Sequence, residues 1–163
     1  MIKSQYIISL LLFFPVLLIQ ITIVPLLSIS GVIPDLIIIL LVYYSITQGQ
    51  IYGSVLGFIY GFLFDIITGG LIGSTMFSKT LAGFVAGYFS SENKIDNYLL
   101  AYNFSLIVLL CSFVDSTINI FFSSMDFNSS LFVLFLEHSL FPAIYTAAIA
   151  LMIIIFYPKR RAF

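Results

Sequence analysis

Few side chains in this sequence can do chemistry, and most of them sit inside apolar runs. They are Asp35, Asp65, Lys79, Asp115, Glu137, His138 and Cys111. Asp115 and Asn119 stand four residues apart, on one helix face. Glu137 and His138 form an acid–base pair on paper only, since adjacent residues on a helix point about 100° apart. No hydroxyl nucleophile is placed by spacing beside a base. No phosphate loop, dinucleotide fingerprint or zinc-spaced His/Cys set occurs. Cys111 is the single cysteine, with no disulfide partner in the chain and no metal-ligand companions. The expectation is a protein that is not an enzyme and that uses no cofactor or metal.

The elements that hold these residues are apolar. Of the 163 residues, 61% are hydrophobic and 8% are charged, and the mean hydropathy is +1.18. A soluble domain carries roughly a quarter of its residues as charges. Six Lys plus Arg against seven Asp plus Glu leave a net charge of −1. That argues against nucleic acid as a partner, which needs a basic face. The expected class is an all-α polytopic protein of the lipid bilayer, one integral membrane domain over residues 1–163, with no room for a soluble domain.

A spanning helix needs about 20 mostly apolar residues. Six spans are predicted, at about 6–27, 32–47, 51–67, 71–90, 98–122 and 131–157. The first follows Lys3, is too long for a signal-peptide core and has no small-x-small cleavage site after it, so it reads as a retained span. Pro34 is placed at the first helical position of the second span. Pro15 and Pro142 are expected to kink the first and sixth. Helices are chosen over strands because the runs are continuous rather than alternating. Short early loops imply antiparallel neighbours.

Positive charge gives the direction. With both termini cytoplasmic, Lys3, Lys94, Lys159, Arg160 and Arg161 all lie inside and the outer loops hold no Lys or Arg. Tyr6, Tyr43, Tyr44, Tyr52, Tyr88, Tyr98, Tyr102 and Tyr157 fall near the cytoplasmic span ends, as interfacial tyrosines do. Asn128-Ser129-Ser130 matches a glycosylation triplet, a pattern short enough to arise by chance.

The third span carries Gly53, Gly57, Gly61 and Asp65 at four-residue intervals, on one face. The fourth carries Thr75, Lys79, Gly83 and Gly87 likewise, broadened by Ala82 and Ala86. A turn at Thr68-Gly69-Gly70 joins them, so a close antiparallel hairpin through small faces is expected. Lys79 then starts about 12 Å below the outer end and Asp65 about 4 Å. A lysine stem can snorkel over that difference. An Asp65–Lys79 ion pair is the expectation, with Asp115 and Glu137 as other partners for Lys79. Asp35, Asp65, Lys79, Asp115, Glu137 and His138 all fall in the outer half, and should face a shared interior, a cavity or a partner. Blander readings stand beside these. Asp35 can simply favour a helix N-terminus, Asp65 can reach interfacial water, and Glu137 and His138 can lie among headgroups. The glycines can serve packing alone. For Lys79 a structural ion pair is the stronger reading and ion or proton transport the weaker.

Pro34-Asp35-Leu36-Ile37-Ile38, then Gly57-Phe58-Ile59-Tyr60-Gly61-Phe62-Leu63-Phe64-Asp65, Gly73, and Gly83-Phe84-Val85-Ala86-Gly87-Tyr88 resemble the bacterial rod shape-determining MreD family. The resemblance is specific over about residues 31–90 and hydropathic elsewhere. It implies a non-enzymatic component of the cell-elongation machinery in the bacterial cytoplasmic membrane. It implies association with the bitopic protein MreC and, through the wider complex, with the MreB filament and peptidoglycan synthases. Pro34, Asp35, Gly57, Gly61, Asp65, Gly73 and Gly83 would be the family-pattern residues that shape the bundle and a partner's groove. Lys79 matches no family motif. Self-association as a homo-oligomer stays open. The family is similar in architecture to the substrate-binding S components of energy-coupling-factor vitamin transporters, the alternative function. Against that alternative, the first span has no alanine for the Ala-x-x-x-Ala docking pattern, and the outer loops offer few groups to hold a small molecule.

Overall fold

A chain segment deprived of water must satisfy its N–H and C=O groups internally, and these apolar runs do so as helices. The computed structural model describes residues 2–29, 31–91, 95–123 and 136–156. Lys94, Tyr157, Lys159, Arg160, Arg161 and the Asn128 triplet lie outside the described residues, as do the side chains of Lys3 and Glu137. In chain order come α1 (Ile2–Thr22), a 3₁₀ turn (Val24–Leu27), α2 (Leu36–Gln48), α3 (Gln50–Thr68), α4 (Ser74–Tyr88), the short α5 (Ile95–Tyr98), α6 (Ala101–Ser123), a π turn (Leu136–Leu140) and α7 (Phe141–Phe156). The described residues form no strand beyond an isolated bridge between Ile29 and Val32.

Three stretches, Gln50–Thr68, Ala101–Phe122 and His138–Phe156, are long and apolar enough to cross a membrane by length and composition. Tyr6–Thr22 and Leu36–Gln48 are shorter apolar helices. The 13 residues of α2 rise about 20 Å, less than a hydrocarbon core of about 30 Å.

Several expected ends shift for local reasons. The first helix stops at Thr22 because Pro25 opens a separate 3₁₀ turn, and a proline ring excludes the preceding helical turn. Pro34 is not the first helical residue. Asp35 is the N-cap, its carboxylate accepting from Ile37 N and Ile38 N, so α2 begins at Leu36. The fourth helix starts at Ser74 rather than near residue 71, because Gly73 caps it at φ 106°, a conformation that favours glycine. Pro15 lies inside the continuous α1. Pro142 sits in the first turn of α7, where its missing N–H costs little, and the irregularity near it is the π turn just before.

The α3–α4 hairpin is the most closely packed pair, and α4 also packs against α2 and α6. The expected glycine register holds. A Cβ at Gly57 would collide with the Lys79 carbonyl, at Gly61 with Thr75 and Met76, at Gly53 with Gly83, and at Gly87 with Gln50. Backbone therefore meets backbone along the whole seam. Helix α1 is held against α3 by the stacked rings of Phe13 and Tyr60, 4.3 Å apart, and by a 2.8 Å bond from Tyr60 OH to Ser9 O. At the end of the bundle opposite Asp35 and Asp65, Tyr6 stacks on Tyr52 with ring centres 4.1 Å apart, and Tyr44 lies beside them.

Candidate functional site

Three sequence-distant charges meet between α2, α4 and α6. Lys79 Nζ donates to Asp35 Oδ2 and lies 3.4 Å from Asp115 Oδ2. Lys79 is 1% exposed and Asp115 5%. A lone ammonium at such a depth would cost several kcal/mol of lost hydration, so pairing is what lets the charge remain.

The local structure fixes each partner. Asp35 sits at the start of α2, where its Oδ1 caps Ile37 N at 2.9 Å and Ile38 N at 3.2 Å, leaving Oδ2 for Lys79. The N-cap reading and the ion-pair reading are thus both true of this residue, one for each oxygen. Two further side chains hold this corner. Gln20 of α1 clamps it from both sides, Nε2 donating to Pro34 O and Oε1 accepting from Leu36 N, each at 2.9 Å. Thr146 of α7 accepts from Asp35 N at 3.0 Å and donates to Pro142 O. Asp115 is held less completely. Its Oδ1 is buried and has no hydrogen-bond partner among the described residues. The Ser78 hydroxyl lies beside it and donates to Thr75 O.

The expected Asp65–Lys79 pair does not form. Asp65 is buried and its Oδ2 accepts from Gly73 N at 2.8 Å and Met76 N at 3.3 Å. It caps the N-terminus of α4, whose unpaired N–H groups and positive dipole end compete for the carboxylate. The lysine stem reaches toward α2 and α6, and two carboxylates wait there.

Each remaining pattern residue has a place. Pro34 is buried beneath the Gln20 clamp, Gly73 is the turn at Asp65, and Gly57, Gly61 and Gly83 form the seam. Asp35, Asp65, Lys79, Asp115 and His138 gather at one end of the bundle, as expected. Gln20 and Thr146 had no role in the sequence reading. Gln20 had one signal, a lone amide inside an apolar run.

Beside the triad is a cleft of about 470 Å³. Its polar wall is Ser112, Asp115, Ser116 and Asn119 of α6, with Gln20, Asp35, Thr75, Lys79 and His138. Ile33, Pro34, Phe64, Ile120 and Pro142 complete it. The four α6 residues recur at the spacing of one helix face. No group of three His, Cys, Asp or Glu residues suited to a metal ion occurs among the described residues. Cys111 is wholly buried. The arrangement can hold charge and bind a polar group.

Long apolar helices, a glycine seam and a buried ion cluster define a helical membrane protein. The chain belongs to the rod shape-determining protein MreD family, whose model matches residues 1–160. It is a rod shape-determining membrane protein. No curated protein and no solved structure matches the chain.

Proposed function

We propose that this chain is a non-enzymatic, six-span component of the bacterial cell-elongation machinery, with both termini cytoplasmic. In this reading it binds an MreC-like bitopic protein and, through it, helps organise peptidoglycan synthesis around the MreB filament. The observation that carries the proposal is the family match over residues 1–160. Two structural features support it. The glycine seam and the Lys79 triad make a stiff frame from α2, α3, α4 and α6. Helix α1 meanwhile leaves Ile7, Leu11 and Leu18 more than 60% exposed, an apolar face that lipid or a partner helix can cover.

Six crossings follow if α2 and α4 span as shorter helices, with their flanks completing the path. The hydropathy of the sequence and the separation of positive charge support that count and direction. The test is depletion of the protein in its own cells, together with affinity purification from detergent extracts. Rounded cells and co-purification of an MreC-like partner are expected. Unchanged rod shape on depletion, with loss of uptake of a vitamin, would sink the proposal in favour of a transporter S component.

A further inference from the structure

Charge does not balance at the triad. Asp35 and Asp115 supply two carboxylates and Lys79 one ammonium. Asp35 is fully engaged, by two N–H groups and the lysine. The shortfall falls on Asp115, which has one oxygen at 3.4 Å from Lys79 and one with no hydrogen-bond partner among the described residues. A carboxylate oxygen so placed is costly unless a donor reaches it.

Asp115 also lines the 470 Å³ cleft, on the same α6 face as Ser112, Ser116 and Asn119. That volume lies in the range of small-ligand sites and exceeds what one ion needs. The Asp35 side chain, 27% exposed, stands at the same cleft. The wall thus offers one carboxyl group more than the lysine matches and a row of hydroxyl and amide groups, around a space that fits a small head group.

We infer that this cleft binds a primary ammonium group, which donates to the Asp115 carboxylate and is surrounded by Ser112, Ser116 and Asn119. Two sources carry that chemistry: the head group of an aminophospholipid, or a soluble amine. The inference does not depend on the partner or the machinery proposed above.

The test uses the purified full chain in nanodiscs. In one arm the bilayer mixes phosphatidylethanolamine with phosphatidylcholine, whose quaternary nitrogen has no N–H, and native mass spectrometry reads the lipids retained. In the other, phosphatidylcholine nanodiscs are titrated with ethanolamine and thermal unfolding is followed. Preferential retention of phosphatidylethanolamine assigns the site to a lipid head group. Saturable stabilisation by ethanolamine assigns it to a soluble amine, and either result supports the inference. Asp115→Asn keeps the shape and removes the charge. It should weaken binding about tenfold or more, the worth of one hydrogen bond to a charged group. Should Asp115→Asn fail to fold, Asn119→Asp adds a carboxylate to the same wall and should tighten binding. Equal retention of both lipids with no ethanolamine effect would overturn the inference. So would wild-type binding by Asp115→Asn, or unchanged or weakened binding by Asn119→Asp.

Discussion

Replacing Lys79 with Met removes the ammonium while keeping much of the stem's bulk. Both carboxylates then lose their cation, but unequally. Asp35 keeps its two N–H bonds, and its side chain is 27% exposed, so water can reach it. The Asp115 side chain is 7% exposed and already has one oxygen unpartnered among the described residues. Most of the penalty should therefore fall on Asp115. Removing one partner of a buried ion pair costs about 3–5 kcal/mol, and Lys79→Met should fall in that range. The double variant Lys79→Met/Asp115→Asn should cost less than the sum of the two single changes, by about 1 kcal/mol or more, because the second change removes the stranded charge. The pair Lys79→Met/Asp65→Ala should be additive to within about 0.5 kcal/mol, since these residues share no partner. Reversible unfolding in mixed micelles with rising dodecyl sulfate, followed by helical circular dichroism, gives these values. Additivity of the Lys79 and Asp115 changes, or strong coupling of Lys79 to Asp65, would refute the assignment of the triad.

Other expectations concern the frame. Gly57→Ala places a Cβ against the Lys79 carbonyl and should lower stability by about 1–3 kcal/mol through overpacking. Gly70→Ala meets nothing nearer than 3.8 Å among the described residues and should be close to neutral in the same dodecyl sulfate unfolding assay. Asp65→Ala removes the bonds to Gly73 N and Met76 N, a helix-cap loss of about 1–2 kcal/mol. Hydrogen exchange should show that loss as faster opening at the start of α4. For topology, cysteines placed singly at the exposed positions Gly70 and Ser91 should differ in whole cells. A membrane-impermeant maleimide should label the first and not the second, with buried Cys111 silent. The reverse pattern would invert the proposed orientation.

Much of this protein is decided by its linear order. Long runs without charge have to become helices, because lipid offers no partner for an open main chain. The glycines at 53, 57 and 61, and those at 83 and 87, set the α3–α4 seam through spacing alone. One face repeats every four residues, and a short turn brings the two faces together. The gathering of charges at one end is also local information, since each charge keeps its distance from a span end. The family pattern is likewise contained in consecutive residues from Pro34 to Tyr88. The identity of Lys79's partners is not local. Asp35 and Asp115 lie 44 and 36 residues away in sequence, and which of three nearby carboxylates pairs with the lysine depends on how α2 and α6 rotate against α4. Depth alone favoured Asp65. The tertiary structure gives Asp65 to the N–H groups that open α4, leaves Lys79 to the other two, and exposes the imbalance at Asp115. Gln20 and Thr146 became visible only there too, because a side chain that clamps a neighbouring helix has no periodicity of its own. Which few charges the membrane tolerates was written in the sequence; which of them meet was decided by helix rotation and by competition for main-chain donors.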